Sequence, residues 1–446
     1  MITFWAAYAQ LPGRAAERVR LTAVDGRFTS VETDVAPGPT DTRLSGVVLP
    51  GFANAHSHAF HRALRGRTHA QGGTFWTWRQ QMYATAAALD PDRYFELARA
   101  VYAEMVLAGM TAVGEFHYLH HDCAGRRYAD PNAMTAALAA AAGEARIRLT
   151  VLDVCYLSGG LTAGGHLPLD PVQERFSDGS VDAWAERVAS WTPPDGVIVG
   201  SAIHSVRAVP EPALARFAEV EPGMADTVGP LHVHLSEQPA ENAAVQEFYG
   251  CTPTELLDRN NLLTERTSAV HATHLTPGDI TRLGRRATYA CFCPTTERDL
   301  ADGIGPARAL AAAGSPLTLG SDQHAVIDMF AEIRGLEMHE RLISNERGRF
   351  TPTELITAAT EVGQRSLGRA DAGRIAVGAP ADLVEIDLAS IRTAGSHADQ
   401  VIYAATATDV KTVVVGGDTV VRDGEHRLGS IGPLLTKSLA QLGDSR

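Results

Sequence analysis

Through the middle of the chain, short apolar runs of β character alternate with longer stretches rich in Ala, Leu, Arg and Glu. YFELARAVYAEMVLAG and MTAALAAAAGEARI are of the second kind and predict helices, because their residues are strong helix formers. Eight of the apolar runs are predicted as buried strands: Val47–Asn54, Met110–Glu115, Arg148–Val154, Gly196–Ala202, Leu231–Leu235, Ser268–Ala272, Thr288–Cys293 and Pro316–Gly320. Strands that are apolar on both faces, each followed by a helix, make βα units around a parallel sheet. Eight units in succession predict an α/β fold of the (β/α)8 TIM barrel type. A doubly wound open sheet produces a similar pattern and stands as the alternative.

The two ends of the chain have a different texture. VRLTAVDGRFTSVETDVAPG near the start, and GRIAVGAPADLVEIDL and VKTVVVGGDTVVRDG near the end, read as short strands joined by Gly, Pro and Asp turns. They predict a small β-sandwich domain built from both termini, residues 1–48 and 373–446, with the catalytic barrel at 49–372.

Composition narrows the functional classes. With 39 Lys+Arg against 52 Asp+Glu the formal charge is −13, and no basic run appears, so a general nucleic-acid binder is not expected. No apolar stretch approaches the roughly 18–20 residues of a membrane span. The opening MITFWAAYAQLPGRAAERVR lacks a basic segment followed by an apolar core, so no secretory signal is expected. Five cysteines in 446 residues make no disulfide framework and read as reduced thiols in a cytoplasm. Seventeen histidines, many clustered, open a metal hypothesis instead.

In a barrel of this kind functional residues lie at or just beyond the C-terminal ends of strands. AHSHAFHR ends the first predicted strand, and His56 and His58, two apart in extended backbone, point the same way and can face one metal. LHVHLSEQ ends the fifth and offers His234, with Glu237 as an unligated carboxylate able to carry protons. His232 lies deeper and reads as structural support. VHATH ends the sixth with His271 and then His274. LGSDQH ends the eighth with Asp322, which can bind a metal through one oxygen and hydrogen-bond water through the other. Four clusters at four strand ends predict one mononuclear metal site. Cys291 and Cys293 are soft donors in principle but read as core packing.

HSH, HVHLSEQ, HATH and GSDQH, in this order, resemble the amidohydrolase superfamily in its mononuclear deaminase branch. No Lys stands at the fourth strand to bridge two metals, which disfavours the binuclear branch. GFANAHSHAFHRALRG, GTFWTWRQQMY, GEFHYLHH, HSVRAV and CPTTERDLADG are, more closely, similar to the formimidoylglutamate deiminases of histidine degradation. His61 is a departure, because that group usually carries Gln there.

The resemblance implies one Zn²⁺ held by His56, His58, His234 and Asp322, although the ligand types admit Fe²⁺ or Mn²⁺ too. It implies catalytic roles for Glu237, His271 and Asp322, a cytoplasmic homodimer, and hydrolysis of N-formimino-L-glutamate to N-formyl-L-glutamate and ammonia. A dianionic small molecule on a chain of charge −13 needs local guanidinium forks. Arg79, in a segment framed by Trp76 and Trp78, and Arg207 are placed to supply them, with His61, Tyr118 and His204 as further substrate contacts. Two rivals remain at this point. A zinc-dependent deaminase of another amidine, a purine or a pterin predicts an aromatic stacking pocket, and a non-catalytic assembly protein predicts missing ligands.

Overall fold

The computed structural model describes residues 1–69, 75–221 and 229–443, with no side-chain description for Phe75 and Trp76. Its strands in chain order are β1 Ile2–Leu11, β2 Arg14–Val24, β3 Arg27–Glu32, β4 Thr42–Pro50, β5 Phe52–Ser57, β6 Met110–His117 and β7 Arg148–Cys155. There follow β8 Gly160–Thr162, β9 Gly165–Leu167, β10 Ile198–Ile203, β11 Leu231–Leu235, β12 Thr267–His271, β13 Tyr289–Phe292 and β14 Leu317–Leu319. The last four are β15 Leu383–Ile386, β16 Val410–Val415, β17 Asp418–Arg422 and β18 Glu425–His426.

Two eight-stranded sheets result. Strands β5, β6, β7, β10, β11, β12, β13 and β14 pair in parallel in that order and form a nearly closed (β/α)8 barrel. Nearly every residue of these strands is buried, as expected when helices cover one face and side chains fill the other. The second sheet runs β18-β17-β16-β15-β4-β1-β2-β3 and joins the two ends of the chain through β4 against β15. It is the small β domain beside the barrel, with its own core around Phe4, Leu21, Phe28 and Leu383.

The helices between barrel strands carry clear start signals. Thr252, Thr276 and Thr351 each cap a helix that begins with Pro, and each forms a reciprocal capping box with the acid three residues on. Asp90 caps Pro91–Leu107, whose buried face packs on helix Ala133–Ala145 and on helix Ile431–Gln441. That last helix returns the C-terminus to the barrel flank.

One predicted strand is divided. Val47–Asn54 spans the end of β4, in the terminal sheet, and the start of β5, in the barrel, with Gly51 between them. The run VVLPGFA is apolar up to Asn54, so periodicity carried no mark of the change of sheet. The backbone carries it: a Cβ on Gly51 would lie 2.3 Å from Thr111 Oγ1, so the chain crosses there by close approach.

The barrel closes between its first and last strands. Asp322 N–H donates to His56 O at 3.0 Å and His58 N–H donates to Asp322 O at 3.1 Å, a parallel bridge centred on Ser57 and Asp322. Gly320 lies flat against this seam, where a Cβ would fall 2.8 Å from both Cβ and O of His56. Gly320→Ala is therefore expected to destabilise the protein by about 1–3 kcal/mol, as overpacking does, and to lower its metal content. Urea unfolding and metal analysis of the purified variant check both, and wild-type values would show that the seam relaxes freely.

Candidate active site

The C-terminal ends of β5, β11, β12 and β14 converge on one buried cluster. Ligand atoms of His56, His58, His234 and Asp322 all lie within 4.8 Å of one another. His56 Nε2 is 3.1 Å from His234 Nε2 and 3.4 Å from Asp322 Oδ1, and His58 Nε2 is 3.3 Å from the same oxygen. Local backbone helps aim these groups. Asp322 (φ 42°), His271 (φ 69°) and Ser236 (φ 51°) adopt left-handed conformations where their strands end. Such a conformation is costly for residues with a Cβ and is held by surrounding structure at functional sites.

Electrostatics favours the ligating form of each group. Burial holds the imidazoles of His56, His58 and His234 below their usual range, His58 down to about 3, so they are neutral with a free lone pair. His58 Nδ1 lies 3.0 Å from Phe116 O; carrying its proton there leaves Nε2 bare toward the cluster. Burial opposes ionisation of Asp322, but hydrogen bonding and charge from His56, with His271 and His58, hold it well below the usual carboxylate range. Three imidazoles and one carboxylate, with His56 Nε2 and His234 Nε2 only 3.1 Å apart, match the donor set of a divalent ion.

His271 stands over this cluster. Its Nε2 is 3.8 Å from Asp322 Oδ2 and 3.9 Å from Glu237 Oε1, and its Nδ1 is 3.5 Å from Glu297 Oε1. Burial works against its charge, but Glu237, Glu297 and Asp322 outweigh it and raise its pKa well above the usual range. Glu237 also faces Arg207, Oε2 to Nη2 at 3.8 Å. Cys293 shares a second possible donor group with His271 and Asp322, and with Cys291 it is fully buried beside Ala55 and Val270. His232 is buried with Nε2 3.4 Å from Ser366 O, and His274 Nε2 lies 2.7 Å from Asp302 O, so both face backbone rather than the cluster.

The expected substrate contacts line the way out. His61 packs on His58 at 4.5 Å between ring centres and pairs with the Tyr118 hydroxyl at 2.9 Å. His204 sits edge-on to His234 at 5.2 Å. Arg79 projects from helix Phe75–Ala87 and donates from Nε to Tyr83 Oη at 2.6 Å. Trp78 packs edge-on to His61 at 5.3 Å, whereas the Trp76 side chain and residues Gly73 and Thr74 of the same segment lie outside the described residues.

Several supporting residues had no part in the sequence reading. Glu297 reaches back four positions to accept from Cys293 N–H at 2.8 Å, which fixes the carboxylate behind His271; an acid in the first turn after a strand end was its available signal. Under the ligands, Ser57 Oγ donates to Glu115 at 2.7 Å and contacts His324 Nε2 at 3.1 Å. His324 Nδ1 pairs with Ser321 Oγ at 2.9 Å, and Ser321 Oγ accepts from Asn54 Nδ2 at 2.7 Å. Glu115, the last residue of the second predicted strand, lies within β6, and burial pushes its carboxyl up to about 8 despite hydrogen bonds from Ala59 N–H and Ser57. These contacts join partners from β5, β6 and the loop after β14, and only the folded chain brings them together.

Residues 47–420 match the model of the amidohydrolase family. The chain belongs to the amidohydrolase family. Among amidohydrolases and their relatives, it is 36% identical over 444 residues to the formimidoylglutamate deiminase of Pseudomonas aeruginosa, covering 96% of each chain. A crystal structure of an amidohydrolase from Brucella melitensis superposes with a TM-score of 0.89 at 33% identity, over 99% of this chain and 100% of that one. An adenosine deaminase from Xanthomonas campestris with bound zinc gives 0.83 at 27% identity, over 99% and 97%. The β10 segment IVGSAI carries no Lys, in keeping with a single-ion amidohydrolase.

Replacing Asp322 with Asn should remove most of the bound divalent metal, which in the wild-type protein is expected at about one ion per chain. Elemental analysis after gel filtration checks this, and full retention would place the fourth ligand elsewhere.

Proposed function

We propose that this amidohydrolase converts N-formimino-L-glutamate and water to N-formyl-L-glutamate and ammonia, with one Zn²⁺ held by His56, His58, His234 and Asp322. The observation that carries the substrate reading is Arg207. Its Nε is buried without an acceptor, and its two acidic neighbours, Glu237 and Glu241, stand 3.8 Å away, beyond hydrogen-bond reach. Burial opposes the charge of Arg207, but Glu241 and Glu237 hold its pKa above the usual value, so it presents a permanent cation with free donors beside the cluster. A ligand carboxylate completes that arrangement, and a bidentate guanidinium pairing is what carboxylates favour. The 36% identity to a formimidoylglutamate deiminase supports the same substrate.

When bound, the ion supplies the Lewis acidity that makes water nucleophilic at neutral pH. The protein's groups do the rest. Asp322 directs Oδ1 at His56 and His58 and keeps Oδ2 toward His271, so one oxygen is available to take the proton of the attacking water. His271, fixed from behind by Glu297, steadies that water in line with the formimino carbon. Addition of water creates a tetrahedral carbon bearing two nitrogens. Glu237 lies between His271 and Arg207 and passes a proton to the departing nitrogen, so that the C–N bond breaks and ammonia leaves while the formyl group remains on glutamate. Arg79 and Arg207 hold the carboxylates, and Tyr118, His61 and His204 complete the pocket wall.

No helix among the described residues is long and apolar enough to cross a membrane. All five cysteines are unpaired, which supports a reducing, cytoplasmic setting. The resemblance also supports a homodimer.

Ammonia release from N-formimino-L-glutamate by the zinc-loaded protein tests the reaction; a loaded protein that ignores this substrate would reject it. Arg207→Met is expected to raise KM by about ten- to a hundredfold, the worth of a charged hydrogen bond, with zinc content unchanged. Steady-state kinetics check this, and wild-type KM would remove Arg207 from substrate binding. Glu237→Gln should keep zinc and product affinity while kcat falls by about 10² or more. Full turnover by that variant would reject the proton-transfer role.

A further inference from the structure

Gln173 lies at the base of the wall between His204 and Arg79 and is fully buried. Its amide orientation follows from its partners. Oε1 accepts from Asp170 N–H at 2.8 Å, so the NH₂ group faces the opposite way. That NH₂ donates to Tyr156 Oη at 2.8 Å and Tyr83 Oη at 3.0 Å, which uses both its hydrogens, and Gly159 O lies 3.3 Å away. Arg79 Nε donates to the same Tyr83 oxygen at 2.6 Å.

A phenol oxygen accepts up to two hydrogen bonds and donates one. Tyr83 Oη therefore has both acceptor positions filled, and Tyr156 Oη already receives one. In the hydrogen bonds among the described residues both phenol oxygens act as acceptors, so each phenolic proton is left for another partner. Burial keeps both phenols above their usual pKa, so both remain donors at neutral pH. Their location suits a ligand. The Tyr156 ring packs edge-on to His204 at 4.6 Å, and His204 packs in turn on His234 at 5.2 Å. The Tyr156 ring is thus one residue removed from the cluster, and Gln173 links its hydroxyl to that of Tyr83, which Arg79 contacts.

We propose that Tyr83 and Tyr156 donate the hydrogen bonds that seat one carboxylate of the substrate beside Arg79, and that Gln173 is the positioning residue that turns both phenols into donors. The inference rests on the proposed dianionic substrate and deepens it. Two neutral donors add grip without placing a further cation next to the guanidinium.

The test compares zinc-loaded wild type, Tyr156→Phe and Gln173→Glu in kinetics with N-formimino-L-glutamate and in calorimetric binding of N-formyl-L-glutamate. Tyr156→Phe keeps the ring against His204 and removes one donor. It should raise KM and the product Kd about tenfold, with kcat within about threefold and zinc content unchanged, while the melting temperature falls because Gln173 loses an acceptor. Gln173→Glu replaces the donor by an acceptor, draws the phenolic protons inward and should cost more than Tyr156→Phe. If the buried acid prevents folding, Tyr156→Phe carries the test alone. A folded Tyr156→Phe with wild-type KM and Kd overturns the inference and leaves the reaction standing, as does a loss confined to kcat. A wild-type protein that neither turns over the substrate nor binds the product overturns the proposed reaction, and the phenol assignment with it.

Discussion

The backbone bonds that tie Asp322 to His56 and His58 are the constraint on which the site depends. They close the barrel, and they do so with the residues whose side chains form the cluster. Side-chain geometry at a metal centre is useful only when the backbone beneath it is stiff, because ligand distances tolerate errors of about 0.2 Å. Here the stiffness comes from a shared seam, the close approach of Gly320, and the chain of polar contacts from Glu115 through Ser57 and His324 to Ser321 and Asn54. The left-handed backbone at Asp322 and His271 is the cost of aiming side chains inward at that seam.

Much of the fold and of the candidate site was legible in the sequence, and the reasons are physical. Barrel strands are buried on both faces and so read as apolar runs, and metal ligands are residue types that stand out at strand ends. His56, His58, His234 and Asp322 were visible for that reason, and the structure brings their ligand atoms together. The change of sheet at Gly51 was not visible, because both sheets bury that run and apolar residues mark burial rather than partner. Glu297, Gln173, Ser57 and Glu115 were also hidden. Each acts through a contact that depends on where the folded chain places it, and an isolated Glu or Gln in sequence most often faces solvent.

Charge is distributed against the average. A chain of −13 repels an anion at long range, so recognition has to be built at short range by groups that are already desolvated. Arg207 is desolvated in this way, with Glu237 and Glu241 each 3.8 Å from its guanidinium, beyond hydrogen-bond reach. Glu241 is itself strained electrostatically: burial pushes its carboxyl up to about 7 although Arg207 lies opposite.

The seam also sets an order of assembly. Asn54 and Ser321, which hydrogen-bond beneath the cluster, are 267 positions apart, and seven of the eight barrel strands lie between them. During synthesis the chain carries His56, His58 and His234 long before Asp322 is made, so a nascent barrel presents three imidazoles and no closing carboxylate. Bringing the ends of so long a segment together is a slow, entropically demanding step. The four residues that could hold a metal therefore come side by side only after that step, and a chain cut short of residue 322 lacks the carboxylate among them.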